Sequence, residues 1–423
     1  MLSKEQNKLL VETDAGTPCG VMMRRYWQPA ALSEELGHDA PLAVRLLGED
    51  LVMFRNEERE PQLIDRRCPH RGVDLSYGWV EGGGLRCLYH GWLMAGSGRC
   101  LEQPGDPRGS RHTGHLKFTA YPCVERAGII FTYMGGGELP ELPAFPAFTG
   151  NASQVWVTKL LHECNYLQGN EGNFDPQHIS YLHRFEVDDQ AIKPSLNTLM
   201  KADVAPRFVV APTSFGLRAT AYRQIDDNVY ARITNFLMPN GASFDGVPID
   251  SPAKGEVPEN LGYQVHWHVP IDDGRHWKYT MIYRYEGQLD KTWLSEGLFG
   301  EVTDDYRSKR NAGNRYLQDR GDMARGSFTG LGRNYYDHDL WAVEAQGRIM
   351  DRSRENLGAT DKPLHMLRRL LITAISDAEA GKDPLFVQRI DRPNAMDEHV
   401  VRVAFLPPDV DLNGAWWEIE AVG

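Results

Sequence analysis

Residues 68 to 90 read CPHRGVDLSYGWVEGGGLRCLYH. Two short pairs of metal-binding side chains, Cys68-Pro69-His70 and Cys87-Leu88-Tyr89-His90, flank a turn-rich segment containing Gly72, Gly78 and Gly82 to Gly84. The glycines let both loops turn tightly, and their amides can donate hydrogen bonds to anionic sulfur. One thiolate and one imidazole from each of two loops is a mixed soft and borderline donor set, suited to zinc or to an iron–sulfur cluster. Structural zinc usually takes C-x2-4-C and H-x3-5-H pairs, and the pattern here is C-x-H followed by C-x2-H.

A Rieske centre requires that arrangement, because two cysteines hold one iron of a [2Fe–2S] cluster and two histidines hold the other. Cys68 and Cys87 are thus assigned to one iron, and His70 and His90 to the other. A structural Cys2His2 zinc is the alternative reading. The motif CPHRG…C-x-YHGW resembles the signature of Rieske-type, ring-hydroxylating oxygenases. Relatives often continue HGW with a basic or polar residue and an aromatic-Asp pair. Here Leu93-Met94-Ala95 follows instead, a departure confined to non-ligand positions.

The chain has 423 residues, a formal net charge of -12 and 25% charged residues. That length suits two domains with a substantial core. The acidity argues against a broad nucleic-acid surface, so an anionic substrate would need local positive charge. No stretch reaches the apolar length of a membrane span. The N-terminal MLSKEQNKLLVETDAG lacks the apolar core of a signal peptide, and six cysteines are too few for a disulfide scaffold. A cytoplasmic location is the expectation, with Cys19, Cys100, Cys123 and Cys164 as buried thiols.

A second metal motif lies in NYLQGNEGNFDPQHISYLH (165–183), which contains D-x2-H-x4-H as Asp175, His178 and His183. Two histidines plus a distant carboxylate form the facial triad of non-haem Fe(II) oxygenases. On a regular helix His178 and His183 would diverge by about 140°, so convergence predicts a π-bulge or a helix end between them. The segment NYYDHDLWAVEAQGRIMDR (334–352) resembles the family segment carrying the third ligand. That resemblance implies Asp339 as ligand, with Glu344 and Arg348 in support and Asp337 as the rival. It also implies that Asp175 orients His178 and reaches a cluster histidine of a neighbouring subunit. The alternative role for Asp175 is a helix cap. His266 and His268 share a strand face and either line a pocket or serve as structural histidines, the latter being the preferred reading.

The pattern predicts an α+β fold. A segment over 1–45 packs on the catalytic domain, an all-β Rieske [2Fe–2S] domain spans 46–148, and a catalytic domain spans 149–423. The strands VYARITNFLM, YQVHWHV and HWKYTMIYRY supply a central antiparallel sheet. Residues 135–148 read as a linker, 155–185 as helical, and the chain beyond 286 as mainly helical, including a helix over 361–381 capped by Asp361.

The resemblance to Rieske oxygenases runs from about residue 5 to about residue 380. SFTGLGRN…HD (327–339) and DRSRENLGATD (351–361) are most similar to the oxygenases of aromatic carboxylates, namely phthalate dioxygenases and the O-demethylases of lignin-derived biphenyl acids. The resemblance implies mononuclear Fe(II) beside the cluster, dioxygen, a separate NAD(P)H-dependent reductase or ferredoxin, and a head-to-tail homotrimer. No G-x-G-x-x-G follows a strand, consistent with electrons arriving from elsewhere. A carboxylate substrate would call for an arginine among apolar pocket residues. Arg232 is the candidate, followed by Arg207, Arg218 and Arg223. Oxygenation of an aromatic acid, by O-demethylation or ring hydroxylation, is the leading reading. A Rieske electron carrier and a zinc-stabilised binding protein are the other classes.

Overall fold

The computed structural model describes residues 1–106, 113, 116–185, 196–245, 260–299, 301–389 and 395–418. An eight-stranded antiparallel sheet forms the larger part. Its order is Val155–His162, Arg275–Arg284, Gly262–Asp272, Gly241–Phe244, Asn228–Leu237, Gly216–Ile225 and Arg207–Pro212, and Val403–Leu406 pairs beside Asn228–Leu237. The three central strands expected from the sequence are thus present. Asn228–Leu237 and Gly262–Asp272 are buried on both faces along nearly their whole length, because helices and the smaller domain cover the sheet.

The smaller part is all β. One four-stranded sheet joins Leu42–Leu46, Glu49–Arg55, Pro61–Asp65 and Ala120–Tyr121; another joins Trp79–Glu81, Gly84–Arg86, Leu93–Ala95 and Cys100–Glu102. They share a small core of Val52, Phe54, Ile64, Leu75, Leu85 and Met94, which also takes in Cys68, Cys87 and Cys100. A three-stranded sheet adds Trp27–Leu32, Ile129–Tyr133 and Cys123–Arg126. The expected division at 45/46 falls inside the strand Leu42–Leu46. The N-terminal helices Lys4–Val11 and Pro18–Met23 bury Leu10 and Cys19 in one core with Leu367 and Leu371 of the long C-terminal helix.

Four further sequence expectations change. Residues 155–162 are an edge strand rather than helix, since VWVTKLLH pairs in full with Arg275–Arg284. The C-terminal part is not mainly helical: it contains short 3-10 turns, irregular chain and the strand Val403–Leu406. Residues 135–148 are packed rather than a free linker, with the ring of Phe145 5.8 Å from Trp267 and Phe148 5.5 Å from Phe131. The helix Lys362–Glu379 is found where expected, with Pro363 in its first turn. Asp361 does not cap it: its carboxylate accepts from the backbone of Gly358 at 2.6 Å.

Two short helices position the site, and each starts on an asparagine cap. Asn165 accepts from Leu167 N ahead of Tyr166–Asn173, and Asn334 accepts from Tyr336 N ahead of Tyr335–Glu344. Buried charge anchors the first helix. Glu171 accepts from Arg352 Nε at 2.9 Å and Arg368 Nε at 2.6 Å, and Arg368 pairs with Glu355 at 2.6 and 2.8 Å. Burial alone would raise the Glu171 carboxyl, but the two guanidiniums overcome it and hold the group below its ordinary value. Replacing Glu171 by leucine leaves two buried guanidiniums short of a counter-charge, so urea unfolding of Glu171→Leu should show a loss of about 3–5 kcal/mol. A loss under about 1 kcal/mol would mean that the network does not anchor the helix.

Candidate metal centres and substrate pocket

The two loops of the β domain are built alike. In the first, Cys68 N donates to Val73 O at 2.9 Å and Gly72 N to Cys68 O at 2.8 Å; in the second, Cys87 N donates to Trp92 O at 2.8 Å and Gly91 N to Cys87 O at 3.0 Å. Gly72 and Gly91 each sit at φ +72°, a left-handed turn that brings the chain back on itself just beyond each histidine. The cysteines are buried and the histidines exposed, with the two imidazole centroids 4.4 Å apart. Burial pushes the Cys68 thiol up to about 11, and the neighbouring Cys87 adds to the rise. Metal-free, the Cys68 thiol is costly to ionise, and a cation beside it removes that cost. Sulfur inside and imidazole outside fits a Rieske [2Fe–2S] cluster held by Cys68, Cys87, His70 and His90.

In the second motif the helix Tyr166–Asn173 ends before the histidines. His178–Ser180 is a single 3-10 turn, and Tyr181 leaves helical conformation. The helix end anticipated between the two ligands is thereby supplied, and His178 and His183 converge with Asp339. Their Nε2 atoms stand 3.2 Å apart, and Asp339 Oδ1 lies 3.1 Å from His183 Nε2 and 3.7 Å from His178 Nε2.

Hydrogen bonds fix the proton on each ring. His178 Nδ1 donates to the main-chain carbonyl of Asp175. Burial keeps His338 neutral, and its Nε2 donates to Gly332 O at 3.0 Å, so its Nδ1 is the acceptor for His183 Nδ1 at 3.3 Å. Both Nε2 lone pairs then face each other beside a carboxylate, an arrangement that calls for a cation. Burial depresses the His183 imidazolium further. Burial acting alone would raise the Asp339 carboxyl, but His183, Lys278 and His178 outweigh it and hold it well below the usual carboxylate range. The donor set fits ferrous iron, with three protein ligands on one side and open positions on the other.

Asp337 points elsewhere. It faces Arg310 Nε at 3.3 Å, and burial pushes its carboxyl up to about 6. Glu344 accepts from Glu163 N at 2.7 Å and from Tyr316 Oη at 2.6 Å, while the exposed Arg348 faces Asp272 at 3.8 Å. The Asp175 carboxylate lies 3.8 Å from His178 Nδ1 and accepts from Gln177 N at 2.8 Å, so within the chain its main-chain carbonyl, not its carboxylate, orients the ring.

Beside the triad a pocket of about 620 Å³, partly open to solvent, is lined by Arg232, Thr234, Phe244, Gln264, His266 and Tyr336 among others. Arg232 donates to the carbonyl of Asp245, and its guanidinium carbon stands 5.6 Å from the Phe244 ring centre. The other three arginines are not among the pocket-lining residues. Arg207 is exposed, Arg218 lies over Trp417 at 4.5 Å, and Arg223 is buried, donating to Pro176 O at 3.0 Å and Ser180 Oγ at 3.3 Å. Arg223 thus braces the turn that carries His178. His266 lines the pocket and is also hydrogen-bonded as a buried structural histidine, to Gln264 Oε1 at 2.8 Å and the Asn173 amide at 3.0 Å.

The sequence reading missed Lys278, whose ammonium is buried 3.7 Å from Asp339 Oδ2, and the orienting role of His338. The available signal for Lys278 was a cation on the inward, alternating face of HWKYTMIYRY.

Residues 26–122 match the Rieske [2Fe–2S] domain model, and residues 132–400 match the model described as LigXa C-terminal domain like. The chain belongs to the Rieske oxygenase family. It is 35% identical over 404 residues to the phthalate 4,5-dioxygenase oxygenase subunit of Pseudomonas putida, covering 91% of this chain and 89% of that one. It is 30% identical over 398 residues to the 5,5'-dehydrodivanillate O-demethylase oxygenase subunit of Sphingobium sp. (strain NBRC 103272 / SYK-6), covering 92% and 84%. The oxygenase in the reduced oxygenase–ferredoxin complex of carbazole 1,9a-dioxygenase shares the fold, with TM-score 0.57 at 19% identity over 92% of this chain and 96% of that one. This Rieske oxygenase is an oxidoreductase of the oxygenase-subunit type, and among its described residues no helix is long and apolar enough to cross a membrane.

Purified protein should be red-brown and hold about three irons per chain with about two acid-labile sulfides. Asp339→Ala should lose the mononuclear iron and keep the visible cluster spectrum, whereas Asp337→Ala should keep both. Metal analysis showing the reverse would reassign the ligand.

Proposed function

We propose that this Rieske oxygenase oxidises an aromatic carboxylate, using dioxygen and electrons from a separate NAD(P)H-dependent reductase or ferredoxin. The observation that carries the reading is Arg232 lining the same pocket as His178, His183 and Asp339. Mononuclear iron held by those three would activate dioxygen with electrons relayed from a cluster held by Cys68, Cys87, His70 and His90.

The protein groups do the rest. Arg232 presents a planar donor fork to the substrate carboxylate, and a charge-assisted bidentate pair in a mostly apolar pocket fixes both position and angle. Phe244, Tyr335 and Tyr336 supply aromatic walls against an aryl ring. Burial holds the His183 imidazole toward its neutral form, and the neighbouring cationic groups hold Asp339 ionised, so both are ready for metal. The names of the relatives, phthalate 4,5-dioxygenase and 5,5'-dehydrodivanillate O-demethylase, support an aromatic acid. They also support both reaction outcomes, because the same chemistry removes an O-methyl group or hydroxylates a ring according to which carbon the pocket presents. O-demethylation is the first reading and ring hydroxylation the second.

Asp175 lines the pocket, and its second carboxylate oxygen faces His178. In a head-to-tail homotrimer that carboxylate would join His178 to His70 or His90 of the next subunit and carry the electron path.

Three measurements test the reading. Reduced, iron-loaded protein with a panel of phthalates, methoxybenzoates and biphenyl dicarboxylates should release formaldehyde from methoxylated acids; diol formation instead would select ring hydroxylation, and turnover of none would reject the substrate class. Arg232→Leu should raise KM by about 10²-fold with both metal centres intact; a change under about threefold would remove Arg232 as the clamp. Asp175→Asn should bind both metals and be reduced normally, yet pass electrons between them about tenfold or more slowly in a single turnover. Wild-type transfer would leave Asp175 as a turn residue.

A further inference from the structure

A second group of histidines lies in the core, outside the iron triad. His162, His268 and His276 come from three neighbouring strands, Val155–His162, Gly262–Asp272 and Arg275–Arg284, and all are buried. His162 pairs directly across from His276 in the strand register. One nitrogen from each of the three lies within 4.8 Å of the others. Their ring centres are 4.8 Å (His162–His276), 5.0 Å (His268–His276) and 6.0 Å (His162–His268) apart, against 5.0 Å for His178–His183 in the iron triad. The rings are tilted at 48°, 63° and 73° to one another rather than stacked.

Two of the three rings are oriented from behind. His276 Nδ1 donates to Cys164 O at 2.7 Å, which leaves a lone pair on Nε2, 2.9 Å from His268 Nδ1. His268 Nε2 is held at 2.7 Å by the Asn173 amide. The Asn173 Nδ2 amino group faces His268 Nε2 and donates to it, so without a metal His268 Nδ1 carries the proton and donates to His276 Nε2. A cation at the site takes the place of that proton, which passes to Nε2 as the amide turns its oxygen to the ring. Metal-ligating histidines are oriented in this way by partners on their far nitrogen. Among the described residues, neither nitrogen of the buried His162 has a hydrogen-bond partner. An imidazole sealed from water without a partner is costly, and an ion between the three rings removes the cost.

We propose that His162, His268 and His276 form a second, all-histidine site for a divalent zinc-type cation, separate from the iron triad. Neutral imidazole is the ligand form, and burial depresses all three imidazolium states. Imidazole-only donors suit zinc, whereas carboxylate-bearing sets such as the triad suit ferrous iron. Lys278 lies in the same layer, and its ammonium already has Asp339 as its ion-pair partner. Asn170 is buried with both amide atoms unpartnered, and it stands three residues before Asn173 and so on the same helix face. It is the candidate for a further, oxygen ligand. The site closes three strands onto the helix Tyr166–Asn173. Gly169 is needed for that closure, since a Cβ there would meet His268 Nδ1 at 2.2 Å. A structural role follows.

The test is zinc-edge anomalous diffraction on crystals of the full chain, purified without chelator from zinc-supplemented cells, with metal analysis in parallel. A peak among the three rings and about one zinc per chain besides the irons are expected. A water or no density there, with zinc below about a tenth per chain, overturns the proposal and makes His268–His276 an ordinary hydrogen-bonded pair. His162→Phe should lose the zinc and keep the cluster spectrum and the mononuclear iron. His162→Gln, which retains a polar side chain, gives the same readout if the phenylalanine variant fails to fold. Asp339→Ala should lose iron and keep the zinc; zinc lost together with iron would place it in the triad and overturn the second site.

Discussion

His178 and His183 each have one nitrogen committed to a neighbour and the other aimed at the same point, 3.2 Å from its counterpart. Two lone pairs at that distance repel, and the ionised carboxylate of Asp339 adds negative potential rather than relieving it. A cation resolves the conflict. The rest of the catalytic part reads as the apparatus that maintains it. The Asp175 carbonyl and His338 set the tautomers, Arg223 braces the turn bearing His178, and the Glu171–Arg352–Arg368–Glu355 network anchors the helix leading into that turn.

The β domain solves a related problem with different materials. Two sulfurs are buried in a small apolar core, two imidazoles are exposed on its rim, and twin glycine turns bring them together. Leu88 and Tyr89, which precede His90, are exposed beside it, with the Tyr89 ring centre 3.9 Å from that of His90. A centre that exchanges electrons with other proteins needs its histidine edge at the surface, and this domain leaves it there.

The pocket shows why charge matters locally in an acidic chain. Arg232 sits on an otherwise buried strand face, and burying a guanidinium is tolerated where partners or a ligand compensate it. Arg223, nearby on the adjacent strand, is spent on main-chain and hydroxyl acceptors and so holds structure instead. Arg232 donates to the Asp245 carbonyl and also lines the pocket beside the triad, which Arg223 does not.

The sequence by itself determined the ligand types and most of the strands. Cysteine and histidine spacing at 68–90 is a local property of two tight loops, and long alternating runs such as YQVHWHV need no partner to declare themselves. It also required a break between His178 and His183, since a continuous helix would point them apart. Only the tertiary structure sets Asp337 and Asp339 apart: they share a helix but face Arg310 and the histidine pair respectively. It alone turned 155–162 into an edge strand, where pairing with Arg275–Arg284 overrides a helical reading of the local residues. It also set Lys278 against Asp339 and grouped His162, His268 and His276, because residues far apart in the chain meet only through strand register. Spacing along a chain encodes what one loop or one strand can do; convergence of distant side chains is fixed by pairing and packing, which no short window of sequence contains.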